Sequence, residues 1–345
     1  MNETIHGMPP TLHDVAREAG VSLATASRSL NGSTRKVNET YRARVLEAAE
    51  RLGYVANLSA QSIAKGTSST LALIVSDIAD PYFSSIASGV VRDAEQLGLV
   101  STIGITQRDA KRELDIVRTL RGQRPRVVIV AGSRFVDAEL DEQLTRELEA
   151  IRNLGGRVVM VSQRSLPFDT VQIDNHGGAR DLALALVERG YRSFAALTGV
   201  SSLMTARDRL AGFRAGLAEH GLELAEERVF ESDFTRDGGY DAGGRMLERG
   251  IDDIDCVFAV NDVMAVGAMS RLREEGVDVP GRLAIAGFDD IATARDVTPA
   301  LTTVRLPLEQ VGAAAIELAT AETDGHAIVT ISGEVVVRES TPQRG

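Results

Sequence analysis

The stretch TLHDVAREAGVSLATASRSL, residues 11–30, decides how the chain is read. Thr11 offers a capping hydroxyl and Asp14 stands three residues on, a variant of the reciprocal cap that opens helices. Leu12, Val15, Ala16 and Ala19 fall on one helical face, and Gly20 stands where a chain leaves a helix with positive φ. Ser22 caps a second helix, whose Ala26 and Leu30 face back toward the first. The small Ala16, Ala19 and Ala26 let the two helices cross closely. The outer face of the second carries Leu23, Ala24, Thr25, Ser27, Arg28 and Asn31. Helix, glycine turn and polar helix with arginine is the helix-turn-helix pattern, whose second helix lies in the DNA major groove. Taken alone, the same residues fit an ordinary helical hairpin equally well.

Outward from that stretch, 345 residues leave room for two or three compact units. Aromatics are 4% with no Trp, so the cores must be built from Ala, Val, Leu and Ile. The single cysteine, Cys256, excludes an internal disulfide and a cysteine metal cluster, and its apolar run through Val260 reads as core. The five histidines (6, 13, 176, 220, 326) are scattered, and Gly-x-Gly-x-x-Gly, P-loop and Gly-x-Ser-x-Gly motifs are absent. The expectation is therefore no enzyme, no cofactor and no metal. Neither an apolar leader nor a membrane-length run occurs, which points to the cytoplasm and away from a membrane. The net charge of −11 is unevenly spread: residues 1–66 hold eight Lys/Arg against six Asp/Glu, a surplus of +2 that leaves −13 for the rest. A mildly basic head on an acidic body suits a DNA reader whose body stays off the phosphates, and so small a surplus calls for two heads acting together.

After Asn31 a turn-rich loop offers Arg35 and Lys36 to phosphates, and Asn38 caps a third helix running to Leu52. Tyr41, Val45, Ala48, Ala49 and Leu52 form its expected apolar stripe, and Gly53 ends it. Residues 55–69 connect to a different pattern. From 70 onward, apolar runs at 71–76, 101–106, 127–131, 158–162, 171–174, 194–198, 229–233, 257–261 and 283–288 alternate with helical patterns at 83–97, 111–121, 177–189, 206–220, 238–249 and 262–275. Such alternation means parallel sheets covered on both faces, and nine strands suit two αβ lobes. Ligands in these folds bind beyond the carboxyl ends of strands. That rule selects 77–83, 106–109, 133–135, 163–164, 199–209, 233–239, 261–262 and 289–290.

The front segment closely resembles the lactose-repressor (LacI) family of bacterial regulators. The family's Thr-x-x-Asp-Val-Ala, Ala-Gly-Val-Ser and Ser-Arg-x-Leu-Asn words stand here as Thr11, Asp14, Val15, Ala16; Ala19, Gly20, Val21, Ser22; and Ser27, Arg28, Leu30, Asn31. The likeness runs on through Leu52-Gly53-Tyr54 to about residue 340. It implies a small all-α helix-turn-helix head (1–54), a hinge helix and linker (55–69), and an α/β body of two lobes with parallel sheets, periplasmic-binding-protein-like (70–345), with crossings between lobes near 163, 295 and 328. In the hinge, Ile63 stands where the family wedges a leucine into the minor groove, while Ala56 and Gln61 replace the usual proline and a frequent arginine. For DNA the resemblance implies Leu23, Ala24, Thr25, Ser27, Arg28, Arg35 and Ile63.

In the body, Thr205–Phe213 matches the family's Arg-x-x-Gly-Phe helix start and gives Arg209 as a ligand arginine. Asn261-Asp262 and Gly287-Phe-Asp-Asp290 match two further motifs and give Asn261 and Asp289. A guanidinium fork, a carboxylate and an amide suit neighbouring hydroxyls or a polar ring edge. Tyr82, Phe83 and Phe234 would wall a sugar or nucleobase, or else belong to the core. Asp77 and Gln163 complete the set, with Ser162-Gln163-Arg164 standing where the family commonly has Asp-Arg around 162–163. Arg209 and Asp289 equally fit a structural ion pair, and Asn261 a helix cap. The function implied is a sequence-specific DNA-binding regulator, most simply a repressor. It would bind a pseudo-palindromic operator as a homodimer, under control of a small sugar-like effector held between the lobes. A solute-binding receptor and a nucleobase-responsive corepressor-type regulator are the competing readings.

Overall fold

The computed structural model of the chain describes residues 10–31, 37–55 and 68–344. Arg35, Ile63 and most of the connector lie outside the described residues. The chain divides into two compact units, Met1–Ser68 and Ser69–Gly345.

Among the described residues the first unit holds three helices, α1 (Leu12–Glu18), α2 (Leu23–Asn31) and α3 (Glu39–Leu52). The reciprocal cap forms: Thr11 Oγ1 accepts from Asp14 N, and Thr11 N donates to Asp14 Oδ2 at 2.9 Å. Gly20 turns the chain with φ +60°, and Ser22 Oγ accepts from Thr25 N at 3.1 Å. Val15, Ala16, Ala19 and Ala26 meet Val45, Ala48 and Ala49 of α3 in one core. Tyr41 departs from the expected stripe. It is 46% exposed and lies beneath the Arg44 guanidinium, because the small core is already filled by alanines.

The second unit alternates strand and helix: β1 (Thr70–Val75), α4 (Pro81–Gln96), β2 (Val100–Ile105), α5 (Ala110–Gln123), β3 (Val127–Ala131), α6 (Ala138–Asn153), β4 (Arg157–Val161), β5 (Asp169–Ile173), α7 (Asn175–Glu188), β6 (Phe194–Thr198), α8 (Met204–Ala218), β7 (Val229–Glu231), α9 (Arg236–Arg249), β8 (Cys256–Ala259), α10 (Asp262–Glu274), β9 (Ala284–Ala286), α11 (Thr293–Asp296), β10 (Thr303–Arg305), α12 (Leu308–Thr320), β11 (Ile328–Ile331) and β12 (Glu334–Val336). All nine expected strands form. Helices α6, α11 and α12 and strands β10 to β12 were not anticipated.

Two parallel sheets result, with strand orders β11-β5-β4-β3-β1-β2 and β7-β6-β8-β9, plus the antiparallel pair β10-β12. In the first lobe alternate residues of β1 serve opposite faces: Leu73 and Val75 pack toward α4 and α12, while Ala72 and Ile74 pack toward α5 and α6. In the second lobe, helix pairs lie close enough to require glycine. A Cβ at Gly212 of α8 would collide with the His176 carbonyl of α7, and one at Gly267 of α10 with the Arg236 carbonyl of α9.

The crossings between lobes differ from expectation. β5 rejoins the first sheet, so the chain leaves that lobe after Asp174 and not near 163. It returns after β10, since α12 packs on α4, β4 and β5, and leaves again after β11.

Candidate functional site

On α2, Leu23, Ala24 and Arg28 are exposed and Thr25 and Ser27 are half-buried. Arg28 is braced on its own helix, Nε donating to the Ala24 carbonyl at 2.9 Å. Thr25 also serves the cap, its hydroxyl 2.8 Å from Ser22 Oγ. Arg17 pairs with Asp14 and Arg51 with Glu18, so these two arginines of the head are locally neutralised.

In the body, strand order reverses at β1/β3 in one sheet and at β6/β8 in the other. Loops diverge at such points and open a crevice. The loops after β1 and β3 bring Ser76, Asp80, Ser133 and Phe135; those after β6 and β8 bring Leu203, Thr205 and Asn261. Together with Tyr82, Phe83, Arg108, Arg209, Phe234 and Asp289 they line a cleft.

Arg209 is its centre. Its side chain is 2% exposed, and all three of its nitrogens donate: Nε to Asn175 Oδ1 at 2.8 Å, Nη1 to the Val260 carbonyl at 2.7 Å, Nη2 to Asp289 Oδ1 at 2.7 Å. The guanidinium carbon stands 3.9 Å from the centre of the Phe288 ring. Asp289 has φ +116°, a strained value that its backbone holds by pairing with Val304. Burial pushes its carboxyl up to about 7, and Arg209 pulls the other way. Asn261 caps a helix and also borders the cleft. Its Oδ1 caps α10 by accepting from Met264 N at 2.9 Å, so what it can still present to the cleft is its amide N–H pair.

Tyr82 stands edge-on to Phe83, ring centres 4.9 Å apart, and burial drives its phenol pKa up. Phe83 is both core and wall, 7% exposed yet bordering the cleft. Phe234 lies against Gly199 and forms another wall.

Two expected residues fall outside the lining. Gln163 stands behind it, buried, where Nε2 donates to Thr205 Oγ1 at 2.8 Å and Oε1 accepts from Arg134 N at 3.2 Å. Asp77 borders an adjoining outer cavity of about 450 Å³ and accepts from Ala79 N. Conversely, Asp80, Arg108, Phe135 and Thr205 are cleft residues that were not singled out, although each lies in or beside a segment the strand-end rule had selected. Cys256 is fully buried, and burial pushes its thiol pKa up, which fits a core thiol. Among the described residues no group of His, Cys, Asp and Glu is arranged to hold a metal ion, and no helix is long and apolar enough to cross a membrane.

Comparison with known proteins bears on both units. Residues 11–57 match the profile of bacterial regulatory proteins of the lacI family, and residues 183–341 that of the periplasmic binding protein-like domain. The chain is 34% identical to the HTH-type transcriptional regulator GalR of Escherichia coli K12, over 93% of this chain and 92% of that one. Among solved structures, the lac repressor dimer bound to operator and the anti-inducer ONPF superposes with a TM-score of 0.82 at 25% identity, covering 97% of this chain and all of that one. The complex of the transcriptional regulator CelR with cellobiose does so at 0.69 and 32% identity, covering 96% and 99%.

Proposed function

The chain belongs to the lacI family of bacterial regulatory proteins and is a DNA-binding transcriptional regulator; from that premise we propose how its residues divide the work. Residues 1–54 read an operator, 55–69 join the units, and 70–345 hold the effector and a second copy of the chain. The outer face of α2 enters the major groove. Arg28 offers its fork to a guanine edge, Leu23 and Ala24 suit a thymine methyl, and Thr25 and Ser27 bond to bases or phosphates. Arg35 supplies a phosphate contact and Ile63 the minor-groove wedge. The effector is a small sugar, a reading supported by the complex of the similar regulator CelR with cellobiose, and it acts on a cytoplasmic dimer that binds a pseudo-palindromic site. No step of bond making or breaking enters this reading.

The observation that carries the effector assignment is the set Arg209, Asp289 and Asn261, fixed by buried bonds at the convergent strand ends of one lobe and facing aromatic walls. A guanidinium and an amide donate to a sugar oxygen while a carboxylate accepts from its hydroxyl. The effector switches operator binding only as far as it binds the two body conformations unequally.

The test has two arms. In fluorescence anisotropy with palindromic operators, Arg28→Ala should weaken specific binding by about 1–3 kcal/mol and relax preference at one base pair. In thermal-shift screening with sugars and nucleobases, a sugar should stabilise the body and Arg209→Met should abolish the shift. A nucleobase as the one stabilising class would replace the sugar reading, and equal binding to every duplex would remove the operator reading.

A further inference from the structure

Arg108 is held at the cleft in a costly backbone conformation. Gln107 and Arg108, directly after β2, have φ of +56° and +60°, two consecutive side-chain-bearing residues in the left-handed region. Both ends of this kink are fastened: Gln107 N donates to the Ser76 carbonyl at 2.8 Å, and Asp109 caps α5 by accepting from Lys111 N and Arg112 N. The kink returns the Arg108 side chain toward β1's loop. There Nη2 donates to Asp80 Oδ2 at 3.0 Å and Nη1 lies 3.6 Å from Asp77 Oδ2. Arg108 and Asp80 border both the inner cleft and the outer cavity.

Asp80 and Arg108 belong to the first lobe; Arg209 and Asp289 belong to the second. Each lobe therefore presents one guanidinium–carboxylate pair to the same cleft, and these four are the charged side chains among its lining residues. The formal charges balance, and Asp77 at the outer cavity adds one more on the negative side. A hydroxyl suits such a pair from either side, since it donates to the carboxylate and accepts from the guanidinium. An anionic group does not: the charge of each guanidinium is already matched by its own carboxylate, beside which the anion would stand desolvated. Burial pushes the Asp80 carboxyl up against the pull of Arg108, so each hydroxyl donor placed on it is a gain.

Resting on the sugar reading above, we propose that Asp80 and Arg108 are a second recognition pair, and that the two pairs together select an uncharged effector with hydroxyls along two edges. Carboxylated and phosphorylated counterparts of the same sugar are rejected. Arg108 is then a specificity-determining residue, and the strained turn is the device that delivers it.

Isothermal titration of the full chain with matched sets decides the matter: glucose, glucuronate and glucose 6-phosphate; galactose, galacturonate and galactose 6-phosphate; cellobiose and cellobionate. The tightest ligand should be neutral, with its charged counterparts weaker by about tenfold or more. Arg108→Met should weaken that neutral sugar about 10- to 100-fold at a temperature where its thermal unfolding curve shows the body still folded, and Arg108→Lys, which keeps charge but not the fork, should recover part of the loss. Asp80→Asn should narrow the gap between neutral and anionic ligands. A charged sugar binding tightest overturns the proposal. So does full neutral-sugar affinity in Arg108→Met when Arg209→Met has lost it, an outcome that leaves the sugar reading standing. If no sugar binds the unaltered chain, the sugar reading itself falls, and this inference with it.

Discussion

Replacing Arg209 by methionine separates two roles that its geometry allows, structural ion pair and ligand contact. The guanidinium is buried and makes three bonds of 2.7–2.8 Å, one of them to Asp289. Methionine keeps contact with the Phe288 ring but strands the Asp289 carboxyl and the acceptors Asn175 Oδ1 and Val260 O. Removing one partner of a buried pair costs about 3–5 kcal/mol because the other charge stays uncompensated. Asp289 limits that cost by taking up a proton, since burial already places its carboxyl near 7 with Arg209 present. The destabilisation should therefore be about 3–5 kcal/mol at pH 8 and visibly smaller at pH 6.

Urea denaturation of the full chain, following the body's transition at both pH values, reads this directly. Arg209→Met combined with Asp289→Asn removes both charges, so stability should return by about 2 kcal/mol or more relative to Arg209→Met alone. Effector affinity should not return with it, because both groups that address the hydroxyls are gone. If the double variant recovered ligand binding along with stability, Arg209 and Asp289 would be a structural pair and nothing more. Additive losses with no pH dependence would refute the electrostatic account of the cleft.

Four further outcomes follow from other parts of the molecule. Thr11→Ala removes the reciprocal cap of α1 and should lower the head's stability by about 1 kcal/mol, read by calorimetry as a shift of its own transition. Gly212→Ala drives a methyl group into the His176 carbonyl and should destabilise the second lobe by about 1–3 kcal/mol, whereas Gly221→Ala, which meets no neighbour but has φ +68°, should pay only for its conformation. Gln163→Ala cuts the tie between Thr205 of one lobe and Arg134 N of the other, and should raise the radius of gyration of the body in X-ray scattering and weaken effector binding several-fold. Asp289 is protonated more readily folded than unfolded, so its contribution to stability is complete below pH 3.8 and is lost as pH rises to about 7; Asp289→Asn should flatten that part of the stability profile.

The head was legible almost residue by residue, because capping, glycine turns and alanine crossings are local. Tyr41 was not, since periodicity cannot say when a core of alanines is already full. In the body the alternation of strands and helices was plain, and the strand-end rule pointed to loops that line the cleft. Within those loops local signals failed. Nothing near Arg108 announces a left-handed pair that turns its side chain inward, and nothing near Gln163 announces that Thr205, far along the chain, will claim its amide. Helix α12 packs beside α4 on the sheet, and its buried Leu308, Val311, Gly312, Ala315, Ile316 and Ala319 form a stripe at helical spacing, as Leu144, Leu148 and Ile151 do in α6, so both helices were open to a periodicity reading. The crossings were misplaced because continuing a sheet and leaving it look alike in sequence.

In the reading proposed above, those crossings would give a ligand in this cleft its leverage. Arg209 Nε holds Asn175, the first residue of α7 beyond the first crossing. The Asp289 backbone pairs with Val304 and Leu306, which flank the second. Asp174 N donates to the Ile331 carbonyl, which binds the first crossing to the third. On the opposite rim, Val136 N donates to the Ser202 carbonyl and Met204 N to the Arg134 carbonyl, so the lobes are also strapped by backbone. A sugar that bonds to Arg209 and Asp289 therefore acts on groups that already hold the inter-lobe strands, with no relay of side chains needed between binding and a change in lobe angle. Its power as a switch is bounded by how differently it binds the two lobe arrangements, and an effector reaching both Asp80–Arg108 and Arg209–Asp289 makes that difference larger than one touching a single lobe.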